Sequence, residues 1–289
     1  MTQNEILRTG LCEVHTSYDA ILCDVWGVLH NGLQKIDGAD DSLAQFRRVT
    51  NKPVVLITNV PRPNAGVHEH LAELGVRPDA FDAIVTSGDV VRMDIQQLGI
   101  KKIYHIGPER NWELFEGTGC SLANESEAEV IVCTGLNSRE EEVPEDYRDL
   151  FARLIAQGLK LICANPDIVS EHGDKLVYCA GALAKLYAEM GGETIITGKP
   201  CLPIYDACQS VLASILGAHI DRSKILAIGD GLPTDVKGAN AAGIDVLFVS
   251  GGIHAEDFGA KGSPDPQLLN DYFAKQDDKI IGALPRLQW

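Results

Sequence analysis

Ala20-Ile21-Leu22-Cys23-Asp24-Val25-Trp26-Gly27-Val28-Leu29-His30-Asn31-Gly32 sets four apolar residues against a carboxylate and then a glycine-punctuated turn. An apolar run without alternation suits a strand buried on both faces of a parallel sheet. The same figure recurs along the chain. Val54–Ile57 ends at Thr58-Asn59, Thr194–Ile196 runs into Thr197-Gly198-Lys199-Pro200, and Ile225–Ile228 runs into Gly229-Asp230-Gly231. Further runs stand at Ala83–Val85, Lys102–Ile106, Val130–Cys133, Leu159–Cys163 and Val246–Val249. Helical patterns lie between them at Asp40–Thr50, Asn64–Leu74, Glu145–Ala156, Leu202–Leu216 and Thr234–Ala241. Gly75, Gly158, Gly217 and Gly243 stand where such helices stop. Strand–helix alternation of this kind predicts an α/β fold built on a parallel sheet.

Composition limits the partners. The chain has 289 residues, a formal net charge of −16, 45% hydrophobic and 23% charged residues, which suits a globular protein of about two domains at about 100–200 residues each. An acidic surface repels phosphate backbones and anionic lipid, so neither nucleic acid nor membrane is the expected partner. No run approaches the ~20 apolar residues of a membrane span, and the first residues lack the basic-then-apolar pattern of a signal peptide. A cytoplasmic protein is expected. The eight cysteines include no C-x-x-C pair, and several lie inside apolar runs. Reduced, mostly buried thiols are expected rather than a disulfide frame or a zinc site.

In open parallel sheets, ligands bind at the carboxyl ends of the strands. Four strand ends would deliver two carboxylates, a hydroxyl with an amide, and a lysine to one edge. These groups together suit a divalent cation and a phosphate. Taken singly, Asp, Asn or Thr after a strand is more often a helix N-cap; four with complementary chemistry favour a shared site. Asp24 is positioned to act as a nucleophile, and backbone N–H groups of the Trp26-Gly27 turn can meet the oxygens of the group it attacks. Thr58 and Asn59 can bind a second phosphate oxygen, Lys199 supplies a point charge, and Asp230 and Asp235 supply carboxylates for Mg²⁺.

The ordered set Asp24, Thr58-Asn59, Lys199, Asp230 and Asp235 resembles the haloacid dehalogenase superfamily of phosphohydrolases, and the insertion between the second and third motifs resembles its class IIA, NagD-like branch. Ala164-Asn165-Pro166-Asp167, Gly181-Ala182-Leu183-Ala184, Gly198-Lys199-Pro200 and Val249-Ser250-Gly251 extend the resemblance from about residue 20 to about 251. It implies a Rossmann-like core, 1–86 and 188–289, interrupted by an α/β cap at 87–187. It also implies a Mg²⁺-dependent phosphatase of a small phosphorylated metabolite. Asp24 would form an aspartyl-phosphate that water hydrolyses. Asp24, the Trp26 carbonyl, Asp230 and Asp235 would hold the metal, with Thr58 and Lys199 neutralising phosphoryl charge and Asn59 near the substrate. Loop residues near Asn165–Asp167 and Lys175–Leu183 would be substrate neighbours. Oxygen ligands of this type accept Mn²⁺ as well as Mg²⁺, and the partners this reading allows are the small phosphorylated metabolite and a second copy of the chain in a homo-oligomer.

One position departs from the pattern. Relatives of this kind usually carry a second aspartate two residues after the nucleophile, where this chain has Trp26. Indole only donates and does not titrate, so it cannot serve as the general acid. General acid–base catalysis is typically worth about 10²–10⁴-fold. Three outcomes follow: a substrate with a good leaving group, a proton from another residue such as His30, or a phospho-ligand-binding or regulatory module with weakened catalysis. His30 is by type more often a turn residue than a catalyst. His68 and His70, two apart on a predicted helix, point to different faces and make a poor metal site. The run Arg139–Glu142 reads as a solvated helix start.

Overall fold

A computed structural model describes residues 6–138, 141–172, 175–260 and 262–289. Arg139 and Glu140, half of the acidic run, lie outside the described residues. The strands in chain order are β1 (Ala20–Asp24), β2 (Val54–Thr58), β3 (Ala83–Thr86), β4 (Lys102–Ile106), β5 (Ser121–Leu122), β6 (Val130–Cys133), β7 (Leu161–Cys163), β8 (Val169–His172), β9 (Lys175–Tyr178), β10 (Thr194–Ile196), β11 (Ile225–Gly229), β12 (Asp245–Val249), β13 (Gly259–Ala260), β14 (Ser263–Pro264) and β15 (Gly282–Leu284). The helices are α1 (Ala39–Thr50), α2 (Asn64–Glu73), α3 (Ser87–Leu98), α4 (Arg148–Ala156), α5 (Ala180–Glu189), α6 (Leu202–Leu216), α7 (Lys237–Ala241) and α8 (Pro266–Phe273). The chain divides into two compact units, one of residues 1–58, 68–85 and 200–289 and one of 59–67 and 86–199. Among the described residues no helix is long and apolar enough to cross a membrane.

The first unit carries a six-stranded sheet in the order β15-β12-β11-β1-β2-β3. β1 is central, parallel to β11 on one side and to β2 on the other, and all five of its residues are buried. That placement explains its unbroken apolar run: both faces are covered. The flanking helices obey local rules. α1 has Asp40 and Asp41 in its first turn and Arg47 and Arg48 in its last, each sign at the helix end whose dipole it complements, and stops at Asn51 with φ 57°. α6 has a proline in its first turn and stops at left-handed Gly217.

The second unit carries a five-stranded parallel sheet in the order β10-β7-β6-β4-β5. Alternate residues of β6 and β7 face opposite cores. Ile131, Cys133, Leu161 and Cys163 pack with Phe151 and Leu154 of α4 and with Leu183 and Tyr187 of α5. Val130, Val132 and Ile162 pack with Val91 and Ile95 of α3 and with Leu114 and Phe115. The period-2 alternation of side chains thus feeds two helical layers from one run of hydrophobic residues. α3 starts in a capping box, Thr86 Oγ1 accepting from the Asp89 N–H and the Asp89 carboxylate accepting from the Thr86 N–H.

β10 pairs with β7 in this second sheet. The expectation that four strand ends share one sheet edge therefore holds for the ends of β1, β2 and β11 and fails for the strand that leads to Lys199. A three-residue apolar run carries no information about which sheet it joins.

Candidate active site

Cys23 is in register with Ile228 and Asp24 with Ile57, so Asp24, Asp230 and Thr58 emerge at the carboxyl ends of three neighbouring strands. Asp235 follows β11 on a single π-helical turn, Leu232–Val236, an irregularity that recurs at functional sites. Asp24, Asp230 and Asp235 are all buried, and each offers an oxygen within 4.8 Å of the others. Backbone donors orient two of them: Ile253 N–H gives 2.8 Å to Asp230 Oδ2, and Gly231 N–H gives 3.0 Å to Asp235 Oδ2. Glycines make the room. A β-carbon on Gly27 or Gly252 would overlap the Asp230 carboxylate, and one on Gly229 would overlap Asp235.

Three buried carboxylates within 4.8 Å of one another repel when all are ionised, and a cation among them would relieve that repulsion. The donor set is all oxygen, which suits Mg²⁺, Mn²⁺ or Ca²⁺ rather than a thiolate- or imidazole-seeking metal. The glycine cradle and the convergent oxygens therefore fit a hard divalent cation.

The turn after Asp24 closes on itself. Leu29 and His30 N–H donate to the Val25 carbonyl, and Gly27 N–H donates to the His30 carbonyl at 2.8 Å. That donor is engaged within the turn, so what Gly27, with φ +84°, gives the site is space for Asp230. The Trp26 indole lies on Gly32, where a β-carbon would strike the ring, and meets His30 edge-on at 4.9 Å between centroids. Its Nε1–H is buried and has no partner among the described residues. His30 Nδ1 accepts from Gly32 N–H at 2.9 Å, which assigns the ring proton to Nε2. Burial, and secondarily the neighbouring His70, hold the His30 pKa down to about 4. His30 is neutral near pH 7 and holds no readily released proton.

In the second unit Asn59, Asp167 and Lys199 come together. Asn59 Oδ1 accepts from Lys199 N–H at 2.7 Å, and its Nδ2 donates to Asp167 Oδ1 at 2.9 Å and to the Lys199 carbonyl at 3.1 Å. Lys199 and Asn59 are 2% and 4% exposed, so the two bonds between them form away from water. A β-carbon on Gly198 would overlap Asn59 Oδ1, which accounts for the glycine in Gly-Lys-Pro. Thr197 Oγ1 ties the end of β10 to the Cys163 carbonyl at 2.9 Å and to Ser87 Oγ at 2.8 Å.

Two residues, and one pairing of a residue already singled out, escape sequence reasoning. Gly252 and Ile253 support Asp230, although Ser250-Gly251-Gly252 looks like an ordinary strand exit. Their signal is position: they follow β12, the strand beside β11. Asp167 bonds Asn59 as well as lying in the Asn-Pro-Asp loop, a pairing no local pattern announces.

A haloacid dehalogenase-like hydrolase model matches residues 21–121, and a second HAD-hydrolase-like model matches residues 196–275. A hydrolase of the haloacid dehalogenase-like family from Brucella suis 1330, solved as a crystal structure, is 45% identical, with a TM-score of 0.86 and coverage of 97% of this chain and 100% of that one. D-glycerol 3-phosphate phosphatase of Mycobacterium tuberculosis is 26% identical over 94% of this chain and 75% of its own length. An acid sugar phosphatase of Staphylococcus epidermidis is 27% identical over 88% of this chain and 95% of its own length. With one relative at 45% identity end to end, the chain belongs to the haloacid dehalogenase-like hydrolase family.

Proposed function

We propose that this hydrolase is a Mg²⁺-dependent phosphatase of a small phosphorylated metabolite, a sugar, aryl or acyl phosphate, acting through an aspartyl-phosphate on Asp24. The observation that carries the proposal is the convergence of Asp24, Asp230 and Asp235 in a glycine-lined cradle. Relatives named for glycerol 3-phosphate and acid sugar phosphatase activity support the substrate class.

Asp24, Asp230, Asp235 and the Trp26 carbonyl would hold the ion. Bound Mg²⁺ supplies positive charge for the phosphoryl oxygens. An Asp24 oxygen attacks phosphorus in line, and the leaving oxygen departs with its bonding pair. Water then attacks phosphorus and regenerates the carboxylate. Thr58 and Lys199 offset the charge on the phosphoryl oxygens, with Trp26 and Gly27 closing the turn beside them and Asn59 next along the chain from Thr58. In this reading the second unit is the cap that selects the leaving group and the first is the core; the boundaries then fall at 59–67 and 86–199 rather than at 87–187, because β10 pairs with β7.

Trp26 cannot protonate the leaving oxygen, and His30 is held neutral. The substrates turned over best are then those whose leaving group needs no proton. Assays with Mg²⁺ on acyl, aryl and alkyl phosphates test this, acyl and aryl esters being expected to exceed alkyl esters by about 10²-fold or more in kcat/KM. Full activity in Asp24→Asn would refute the nucleophile. Phosphate binding without turnover of any class would instead favour a ligand-binding module.

A further inference from the structure

We infer that Asn59 is a positioning residue for Lys199, holding that residue's backbone through its side-chain amide rather than binding phosphate with it. The inference rests on the reading above, in which Lys199 meets the phosphoryl oxygens.

The amide has no donor left over. Both Nδ2 hydrogens are engaged, one by Asp167 Oδ1 at 2.9 Å and one by the Lys199 carbonyl at 3.1 Å. Oδ1 takes the Lys199 N–H at 2.7 Å. The orientation of the amide is forced, since the atom facing an N–H must be an acceptor and the atom facing a carbonyl and a carboxylate must be a donor. Asn59 therefore pairs with both backbone polar atoms of Lys199 as a neighbouring strand would. The carboxylate of Asp167 fixes the amide through a charge-assisted bond. Gly198 permits the approach, because a β-carbon there would overlap Oδ1.

Lys199 is a flexible point charge on a four-carbon stem. Aim at a phosphoryl oxygen depends on where its Cα is held, and a displacement near 1 Å is worth about 10²-fold in rate. Aspartate at position 59 would still accept from the Lys199 N–H, but it would lose the donor to the Lys199 carbonyl and face Asp167 as a second negative charge.

The test is a double-mutant cycle on 4-nitrophenyl phosphate with Mg²⁺, with thermal unfolding measured for every variant. Asn59→Ala is expected to lower kcat/KM by about 10–100-fold in the wild-type background and by less than about 3-fold in Lys199→Ala, because a residue that acts through Lys199 has nothing to act on without it. Asn59→Asp is expected to lose activity and to regain several-fold on adding Asp167→Asn, which restores a donor facing position 59. Equal losses with and without Lys199 would overturn the inference, as would no recovery in the Asn59→Asp, Asp167→Asn pair. If Asn59→Ala does not fold, that pair alone decides. Wild-type activity in Lys199→Ala would refute the phosphatase site itself, a result distinct from either.

Discussion

Gly27 lies so close to Asp230 that a β-carbon at position 27 would overlap the Oδ2 carboxylate oxygen, and its backbone has φ +84°. The glycine is thus required twice, once for conformation and once for space. Gly38 separates the two demands, since its φ is +83° and a β-carbon there meets nothing within 4 Å. Gly27→Ala and Gly38→Ala are each expected to lose about 1–2 kcal/mol of stability for the left-handed backbone. Only Gly27→Ala is expected to lose about 10²-fold or more in kcat/KM, by displacing Asp230. Equal activity in the two variants, measured beside their urea midpoints, would remove the steric role.

The carboxylate cluster sets the sign of a metal effect on stability. Asp24, Asp230 and Asp235 repel one another when ionised, and on the proposed reading a divalent cation would relieve that repulsion by binding only the folded chain. Mg²⁺ at about 100 times its Kd is expected to stabilise the protein by about 2.7 kcal/mol. Asp230→Asn keeps an acceptor for the Ile253 N–H and removes one negative charge. Its melting temperature without metal should equal or exceed that of the parent, and its response to Mg²⁺ should vanish. A variant that melts lower without metal and still responds to Mg²⁺ would contradict the assignment.

Trp26 stands where a titrating group would change the substrate range. Trp26→Asp offers a carboxyl two residues beyond Asp24, the proposed nucleophile. It is expected to raise the ratio of alkyl to aryl phosphate kcat/KM by about 10-fold or more, toward the range typical of general acid catalysis. Trp26→Phe is the control. It keeps a ring against Gly32 and removes the buried Nε1–H that has no partner among the described residues, and it should leave the ratio unchanged. A shift of equal size in both variants would point to packing rather than proton transfer.

What is legible in the sequence follows from what is local. The apolar runs of β1, β2, β6 and β11 are each covered on both faces, so their unbroken hydrophobicity identifies them, and the residues at the carboxyl ends of β1, β2 and β11 mark a candidate site edge by their chemistry. α5 leaves no such mark, opening at Cys179 with no side-chain cap, and α3, opening straight from β3, carries only the local Thr86–Asp89 capping pair. The antiparallel pair β8 and β9 and the terminal strand β15 are short elements fixed by their partners. The same holds at the site. Asp24, Asp230 and Asp235 can be nominated from strand ends, whereas the bond from Asn59 to Asp167 spans 108 positions and exists only once two segments of the second unit pack.

His105 provides a pH prediction away from the reaction. In β4, its Nε2 lies 2.8 Å from Thr134 Oγ1, which also accepts from Asn111 Nδ2 at 3.0 Å, and its ring meets Phe115 edge-on at 5.2 Å. Thr134 Oγ1 also lies 3.5 Å from the Ile106 carbonyl, to which its hydroxyl donates, so His105 meets no acidic partner in this network and its neutral form follows from burial. Burial holds the pKa down to about 4, against an ordinary value of 6.5. A group with a depressed folded-state pKa contributes its full share of stability above 6.5, and that share is lost as pH falls from 6.5 toward 4, where the unfolded chain takes up a proton and the folded one does not. His105→Gln keeps a neutral polar group facing Thr134 and cannot titrate. Urea unfolding at pH 7.5, 5.5 and 4.5 should therefore give a shallower loss of stability in His105→Gln than in the parent, by up to one proton, or about 1.4 kcal/mol per pH unit, inside that window. His30, depressed to a similar value, titrates in the same direction in both proteins and cancels in the comparison. Parallel curves from pH 7.5 to 4.5 would mean that His105 does not remain neutral in the folded chain.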